Sequence, residues 1–299
     1  ERYHRFHSKD EDFDLFHYNY RDKKHNSYDH RFNGLNKEQI QSIGKITLSY
    51  STLDTFYHCQ FRYYLDRILN LNEYEDTFYT SVGTLCHEVL KDLLMDKSFD
   101  FEKSWNLHSK DSSIFADERE EFFADRIKEE LKADVQILLQ QKKAGTLNQQ
   151  LCEASFLIPI DEYCAFKGYI DKVMYKENED EVIASVVDYK TGTTASLREK
   201  LMPYGLSLQL PSYMYLLRRS NPFHKKIRFG GFYLQYLINN DRKYDKEKSL
   251  EQRKWESLQL DGYTTDDMEI LDQFAKEKLK DLKSELRDEY ARYTLLKKE

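Results

Sequence analysis

The chain is short of the residues that interrupt or cross-link a fold: its 299 residues include only 4 proline, 10 glycine and 4 cysteine. So little proline and glycine argues against a disordered or low-complexity polymer. Cys59, Cys86, Cys152 and Cys164 are spread without C-x-x-C spacing, and Cys86 and Cys164 fall in apolar-patterned segments, so they read as buried free thiols and not as disulfides. No apolar run reaches the ~18 residues of a membrane span and no signal peptide opens the chain, which reads as soluble and cytoplasmic with no membrane partner. A Gly-x-x-x-x-Gly-Lys-Ser/Thr phosphate loop is missing too, so ATP use of that kind is not expected. Net positive charge is also lacking. The formal charge of −7 excludes a generic polyanion binder, although recognition depends on local patches. One basic cluster, Arg218-Arg219 to Lys225-Lys226-Arg228, reads on pattern alone as a solvated face. The first residue is Glu and not Met, as in a piece of a longer polypeptide.

Tyrosine (23) and phenylalanine (18) are abundant, which suits a packed α/β domain with aromatic-rich faces. The length allows one large domain or two modest ones. Residues 1–45 mix charge, histidine and aromatics without clean periodicity and read as an arm or linker, leaving 46–299 as one domain with a C-terminal helix.

Within that domain a helix is expected from about Ser51 to Leu69, with Ser51 and Asp54 at a capping-box-like start and Leu53, Phe56, Tyr57, Phe61, Tyr64, Leu65 and Ile68 forming an apolar stripe. A second helix is expected over Val82–Met95 and a long charged one over residues 117–143. Residues 153–161 then alternate, residues 164–175 read as a strand, and residues 182–190 as a Val/Ile-rich strand. The acidic stretch Lys176–Glu181 turns the last two into a β-hairpin. A helix over Ser207–Arg219, a strand over residues 226–238 and a charged amphipathic helix over Asp266–Leu296 complete the chain. This order implies an α/β fold, a central mixed β-sheet flanked by helices.

The hairpin carries the chemistry. Asp188 and Lys190 are two apart on one strand, so their side chains share a face. If the turn centres between Glu179 and Asp180, facing residues sum to 359 and Asp171 pairs with Asp188; a slip of one residue moves Asp171 to the other face. In that register the Cβ atoms lie roughly 4.5–5.5 Å apart. Two carboxylates so close repel unless a cation sits between them, and oxygen ligands on a rigid scaffold suit Mg²⁺ or Mn²⁺. Lys190 beside them can stabilise a pentavalent phosphate or activate a water. Asp188 ends the apolar run Val182–Val187, an awkward place for a charge without a purpose. Together, Gly168–Gly192 reads as a metal-dependent nuclease site.

Five segments in order resemble the PD-(D/E)xK nucleases, within them the RecB/AddB-type domain, which has a restriction-endonuclease-like core. Leu48–Cys59 with Phe61–Tyr64 resembles the opening helix of that family. Val82–His87 resembles its Gly-x-x-x-His helix, Gly168–Asp171 and Asp188–Gly192 its metal-binding core, and Leu208–Tyr213 its Gln-x-x-x-Tyr helix. The resemblance spans about residues 46–240. It implies His87, Asp171, Asp188 and the Tyr189 carbonyl as metal ligands, Lys190 as the catalytic lysine, and Gln209 and Tyr213 over the site near DNA. Gln209 and Tyr213 are i and i+4 on one helix face. Glu153 opens a strand where relatives often carry Glu and is a further candidate for metal or DNA. Many relatives hold an iron–sulfur cluster with four cysteines. Cys59 matches the first, but no cysteine follows Cys164, so no cluster is expected here.

The resemblance therefore implies a Mg²⁺- or Mn²⁺-dependent DNA exonuclease of repair and recombination. Its substrate would be single-stranded ends, its partner a helicase or AddA-like protein. Two alternatives remain. One is a catalytically retired DNA-binding or scaffolding module, against which the retained carboxylates, His87 and Lys190 argue. The other is a CRISPR-associated exonuclease, disfavoured by the missing cysteines and the extra length.

Overall fold

Val, Ile and Tyr crowd residues 164–191, and period-2 alternation across a polar turn makes this stretch a long hairpin. In the computed structural model its strands are β3 (Cys164–Glu177) and β4 (Glu181–Thr191), and the turn is closed by Asn178 N–H donating to Glu181 O at 2.9 Å. Described residues are 34, 36–71, 77–95, 98–110, 118–144, 147, 149–191, 199–238 and scattered positions from 249 to 270. The expected helix over Asp266–Leu296 lies almost entirely outside them, as does Gly192.

The chain divides into two units, Glu1–Gly44 and Lys45–Glu299. The described part of the first is helix α1 (Lys37–Ile43), started by an Asn36/Gln39 capping box. In the second, six strands form a mixed sheet ordered β1-β3-β4-β5-β6, with β2 also paired to β3. The strands not yet placed are β1 (Ile46–Leu48), β2 (Gln149–Pro159), β5 (Lys226–Leu237) and β6 (Asp261–Thr264). β2, β3 and β4 run antiparallel, β5 lies parallel to β4, and β1 pairs in parallel with Cys164–Phe166. This is the α/β architecture of a central mixed sheet flanked by helices.

Two cores hold the layers. On one face, helix α7 (Gln209–Ser220) sets Leu210, Tyr213, Leu216 and Leu217 against Val182, Ala184 and Val186 of β4. On the other, helices α4 (Phe78–Met95) and α6 (Glu118–Ala144) pack Leu85, Val89 and Leu131 with Tyr189 and Leu237. Each such fully buried side chain contributes roughly 1.5–3 kcal/mol relative to exposure. α7 approaches β3 closely at Gly168, where a Cβ would collide with the buried Leu216 Cδ1.

The long helix expected over Ser51–Leu69 is broken. It consists of α2 (Tyr50–His58), α3 (Gln60–Tyr63) and a π-helical turn over Tyr64–Ile68. Cys59 interrupts it in extended conformation, its thiol accepting from Arg62 N–H as an N-cap. The capping box is Ser49/Thr52 and not Ser51/Asp54, which lie inside the helix. The apolar stripe is a core face only in part: Leu53 packs against the core, while Phe56, Tyr57 and Phe61 are exposed. All four cysteines are free, but only Cys86 is fully buried; Cys164 is half-buried. Helix α5 (Phe101–Ser109), capped by Asp100, is not announced by the sequence pattern.

Candidate active site

Asp171 stands where the ladder from β3 to β4 ends and the ladder from β3 to β2 skips one pair. Toward β4 the pairing runs from Glu177↔Val182 to Lys172↔Val187, each pair summing to 359, and the next position in that register is Asp171 opposite Asp188. There Tyr189 N–H donates to the Asp171 carboxylate (Oδ2) at 2.7 Å, a side chain replacing a backbone acceptor. Toward β2 the ladder skips Glu153, whose φ of 47° places it in the left-handed region that a glutamate rarely adopts. Phe166, Ile170 and Val173 share one core cluster although the last breaks their even parity, so the pleat of β3 shifts phase at Asp171. A left-handed residue of this kind costs on the order of 1–3 kcal/mol and persists where its surroundings enforce it.

The twist aims Glu153 at His87, which α4 brings from the opposite side. His87 Nδ1 lies 3.1 Å from Glu153 Oε1 and 3.7 Å from Asp171 Oδ1. Ligand atoms of His87, Glu153 and Asp171 all fall within 4.8 Å of one another. Tyr189, buried in the α4 core, meets the His87 ring edge-on at 6.1 Å. The carboxylate of Asp171 is nearly buried while His87 and Glu153 are about a quarter exposed, so the cluster opens to solvent on the histidine side.

Asp188 belongs to a second, adjoining network. Its Oδ1 accepts from Gln209 Nε2 at 2.6 Å, and its Oδ2 stands 2.5 Å from the Lys190 ammonium. Gln209 also donates to Tyr213 OH at 3.0 Å and accepts from Lys190 Nζ at 2.9 Å. Both ends of the Gln209 amide are thereby assigned: its NH₂ meets two acceptors and its oxygen meets a cation. These contacts exist because α7 begins at Gln209 and puts Gln209 and Tyr213 one turn apart over the end of β4. Tyr50, the first residue of α2, adds its ring edge-on to Tyr213 at 6.0 Å.

Charge in this space is costly. Burial, then the neighbouring Asp188, pushes the Asp171 carboxyl up to about 7, against the opposing pull of His87 and the Tyr189 N–H. Burial raises Asp188 as well, countered by Lys190. Burial works to lower His87 and Lys190, yet carboxylate neighbours leave both raised, Glu153 and Asp171 acting on His87 and Asp188 on Lys190. Two acids that resist ionisation at close range, next to an imidazole and a third carboxylate, form a donor set suited to a hard divalent cation.

The seven side chains singled out from the sequence, from His87 and Glu153 to Gln209 and Tyr213, thus converge on one end of the hairpin. Tyr189 enters through its N–H and its buried ring. Two participants escape the sequence reading. Tyr50 feels the charges of Lys190, Asp188 and Asp171, and the buried Lys172 places its ammonium 5.7 Å from the Tyr189 ring centre. Both lie in or beside the motif segments, but neither spacing points to the site.

Two members of the basic cluster, Lys225 and Arg228, lie elsewhere. Lys225 is bound to Glu177 and to Asn178 O, and Arg228 to Glu181, Asp267 and Glu269. These pairs sit at the turn end of the hairpin, seven residues and about 23 Å along β4 from Asp188.

A buried Asp/Asp pair beside a half-buried Lys at the end of a sheet hairpin, with histidine and glutamate converging on it, is the arrangement of a nuclease core. The chain belongs to the PD-(D/E)XK nuclease superfamily, whose family model matches residues 47–293. It is similar to an ATP-dependent helicase/deoxyribonuclease subunit of Lactococcus lactis, with 26% identity over 222 residues, 68% of this chain and 20% of that protein. The same-named protein of Natranaerobius thermophilus is 25% identical over 285 residues, 81% of this chain and 24% of that one. For Lachnoclostridium phytofermentans the values are 27% over 256 residues, 77% and 22%. The chain spans about a fifth to a quarter of the length of these relatives. Among the described residues no helix is long and apolar enough to cross a membrane.

Proposed function

We propose that this chain is a Mg²⁺- or Mn²⁺-dependent deoxyribonuclease that degrades DNA from single-stranded ends, as the nuclease part of a cytoplasmic helicase–nuclease assembly for repair and recombination. The observation that carries the reading is the break of both β3 ladders at Asp171, which gathers Glu153 and His87 around it with Asp188 and Lys190 alongside. The names of the relatives, all helicase/deoxyribonuclease subunits, support DNA as substrate and a helicase as partner.

In this reading His87, Glu153 and Asp171 would hold the cation, and Asp188 and the Tyr189 carbonyl would be its further oxygen donors. When bound, the cation supplies neutralisation of the scissile phosphate and acidification of a water. Lys190, kept protonated by Asp188 and oriented by Gln209, presents its ammonium to the non-bridging phosphate oxygens as charge builds on them. Gln209 fixes the distance between Lys190 and Asp188 by contacting both. Tyr213, held by Gln209 and Tyr50, excludes water from the α7 side.

End-labelled single- and double-stranded DNA incubated with Mn²⁺ tests this, wild type beside Lys190→Ala. Wild type should degrade DNA and the variant should be slower by about 10²–10³, the usual loss on removing one positioned charge-stabilising donor. Equal degradation by the two, or none by wild type with either metal, counts against the assignment.

A further inference from the structure

A groove of about 690 Å³ runs between α4 and α6 and reaches Thr191, the residue after Lys190. Its walls are two helix stripes. On α4 the groove is lined by Phe78, Tyr79 and Val82, in the turns that precede His87. Tyr79 is about 12 Å from His87 along that axis, a span of a few nucleotides of strand. On α6, Arg119, Phe123 and Arg126 lie at i, i+4 and i+7.

The composition of these stripes is unusual for an outer helix face. Tyr79 is 82% exposed and Phe123 40%, large rings presented to water. Phe123 packs against Phe78 with centroids 6.5 Å apart, and the Arg119 guanidinium stands over its ring at 5.9 Å. Among the described residues neither Arg119 nor Arg126 joins an ion pair. By contrast, Arg62, Lys128, Lys132, Lys225 and Arg228 all do. Of the two acids on the groove, Glu130 is held by Lys254 at 3.3 Å and Glu120 turns one carboxylate oxygen into the protein.

From this we infer that the α4–α6 groove is a track for single-stranded DNA leading to or from the nuclease site, with bases stacking on Phe123 and Tyr79 and phosphates meeting Arg119 and Arg126. Aromatic faces interleaved with cations are what a single strand requires, because every base offers a π-face and every linkage a charge. A peptide would find no unpaired strand edge among the described residues of these two helices, and duplex DNA would keep its bases stacked away from the rings. The inference rests on the proposed nuclease reading for its substrate class. It extends that reading to an overall acidic protein in which Lys225 and Arg228 of the basic cluster are paired off at the far end of the hairpin.

Binding of fluorescein-labelled oligothymidylate to the full chain, followed by anisotropy in Ca²⁺ or EDTA across a salt series, is the test. The variants are Phe123→Ala, Tyr79→Ala and the double variant Arg119→Ala/Arg126→Ala, with melting temperature as a check that each folds. Each variant should bind about tenfold or more weakly, and the double variant should lower the salt slope by about 1.4, from two lost single-strand phosphate contacts. Hydrolysis of the small diester bis(p-nitrophenyl) phosphate should be unchanged, because it does not reach the groove. Loss of oligonucleotide binding by the variants supports the track even if wild type cleaves nothing, whereas unchanged affinity and slope overturn it even if wild type is an active nuclease. Equal competition by heparin with no effect of Phe123→Ala also overturns it, since that describes generic polyanion attraction. So does failure of wild type to bind the oligonucleotide.

Discussion

Tyr189 N–H donates to the carboxylate of Asp171 at 2.7 Å, so β4 gives a side chain of β3 the hydrogen bond that its backbone partner would otherwise receive. This substitution holds the two strands in the sheet while opening their ladder where Asp171 and Asp188 stand. It also ties the orientation of Asp171 to the main chain, which is less easily displaced than a neighbouring side chain. The site is therefore built into the sheet and not appended to a loop.

The raised carboxyl of Asp171, at about 7, has a consequence for the metal-free protein. Between the ordinary aspartate value near 3.9 and about 7, the folded state holds a proton that the unfolded chain has released, so stability falls as pH rises through that window. In EDTA, the melting temperature of wild type minus that of Asp171→Asn should decline from about pH 4 to about pH 7. Mn²⁺ should reverse the decline for wild type and not for the variant. A flat difference would mean that Asp171 ionises freely.

Gln209 holds Asp188, Lys190 and Tyr213 together with one amide. Gln209→Ala should lower metal affinity far less than rate, because the amide touches Asp188 but none of His87, Glu153 and Asp171. The rate of cleavage should drop about 10–100-fold as Lys190 loses its support, since a shift of about 1 Å is enough to cost that much. Parallel Mn²⁺ titration and single-turnover cleavage separate the two effects, and a loss of metal binding equal to the loss of rate would be the contrary outcome.

Glu153 carries backbone strain at φ 47°. Glycine tolerates that conformation, so Glu153→Gly should leave stability unchanged or raise it by up to roughly 1 kcal/mol, glycine's larger loss of chain entropy offsetting part of the relieved strain. It should at the same time weaken Mn²⁺ binding, because one of the three converging ligand groups is gone. Scanning calorimetry beside metal titration checks both; a destabilised variant with intact metal affinity would show that Glu153 is structural.

The hairpin is legible from its sequence because a polar turn and a period of two fix its register, and every pair from Lys172↔Val187 to Glu177↔Val182 obeys the expected sum. The helices α4, α6 and α7 are legible to within a few residues from their apolar spacing. What cannot be read depends on tertiary placement. Glu153 adopts a conformation that no local pattern announces, and its strand begins four residues earlier than the alternation suggests. β1 is three residues paired to a segment more than a hundred positions away. The break at Cys59 follows from a thiol acting as a helix cap, a role that an apolar periodicity does not encode.

The grouping of the side chains also differs from the set of metal ligands that the resemblance implies. His87, Glu153 and Asp171 form the compact trio, while Asp188 is turned toward Lys190 and Gln209. Glu153 therefore stands nearer the centre of the site than its position at a strand start suggests.

The most direct test of the account is single-turnover cleavage of a labelled oligonucleotide at saturating Mn²⁺ by wild type and by Asp171→Asn, with folding of both verified by melting. Asp171 belongs to the His87 cluster and sits in register beside Asp188, so the account predicts a loss of about 10³-fold or more for the variant. A folded Asp171→Asn protein that cleaves at the wild-type rate would contradict it.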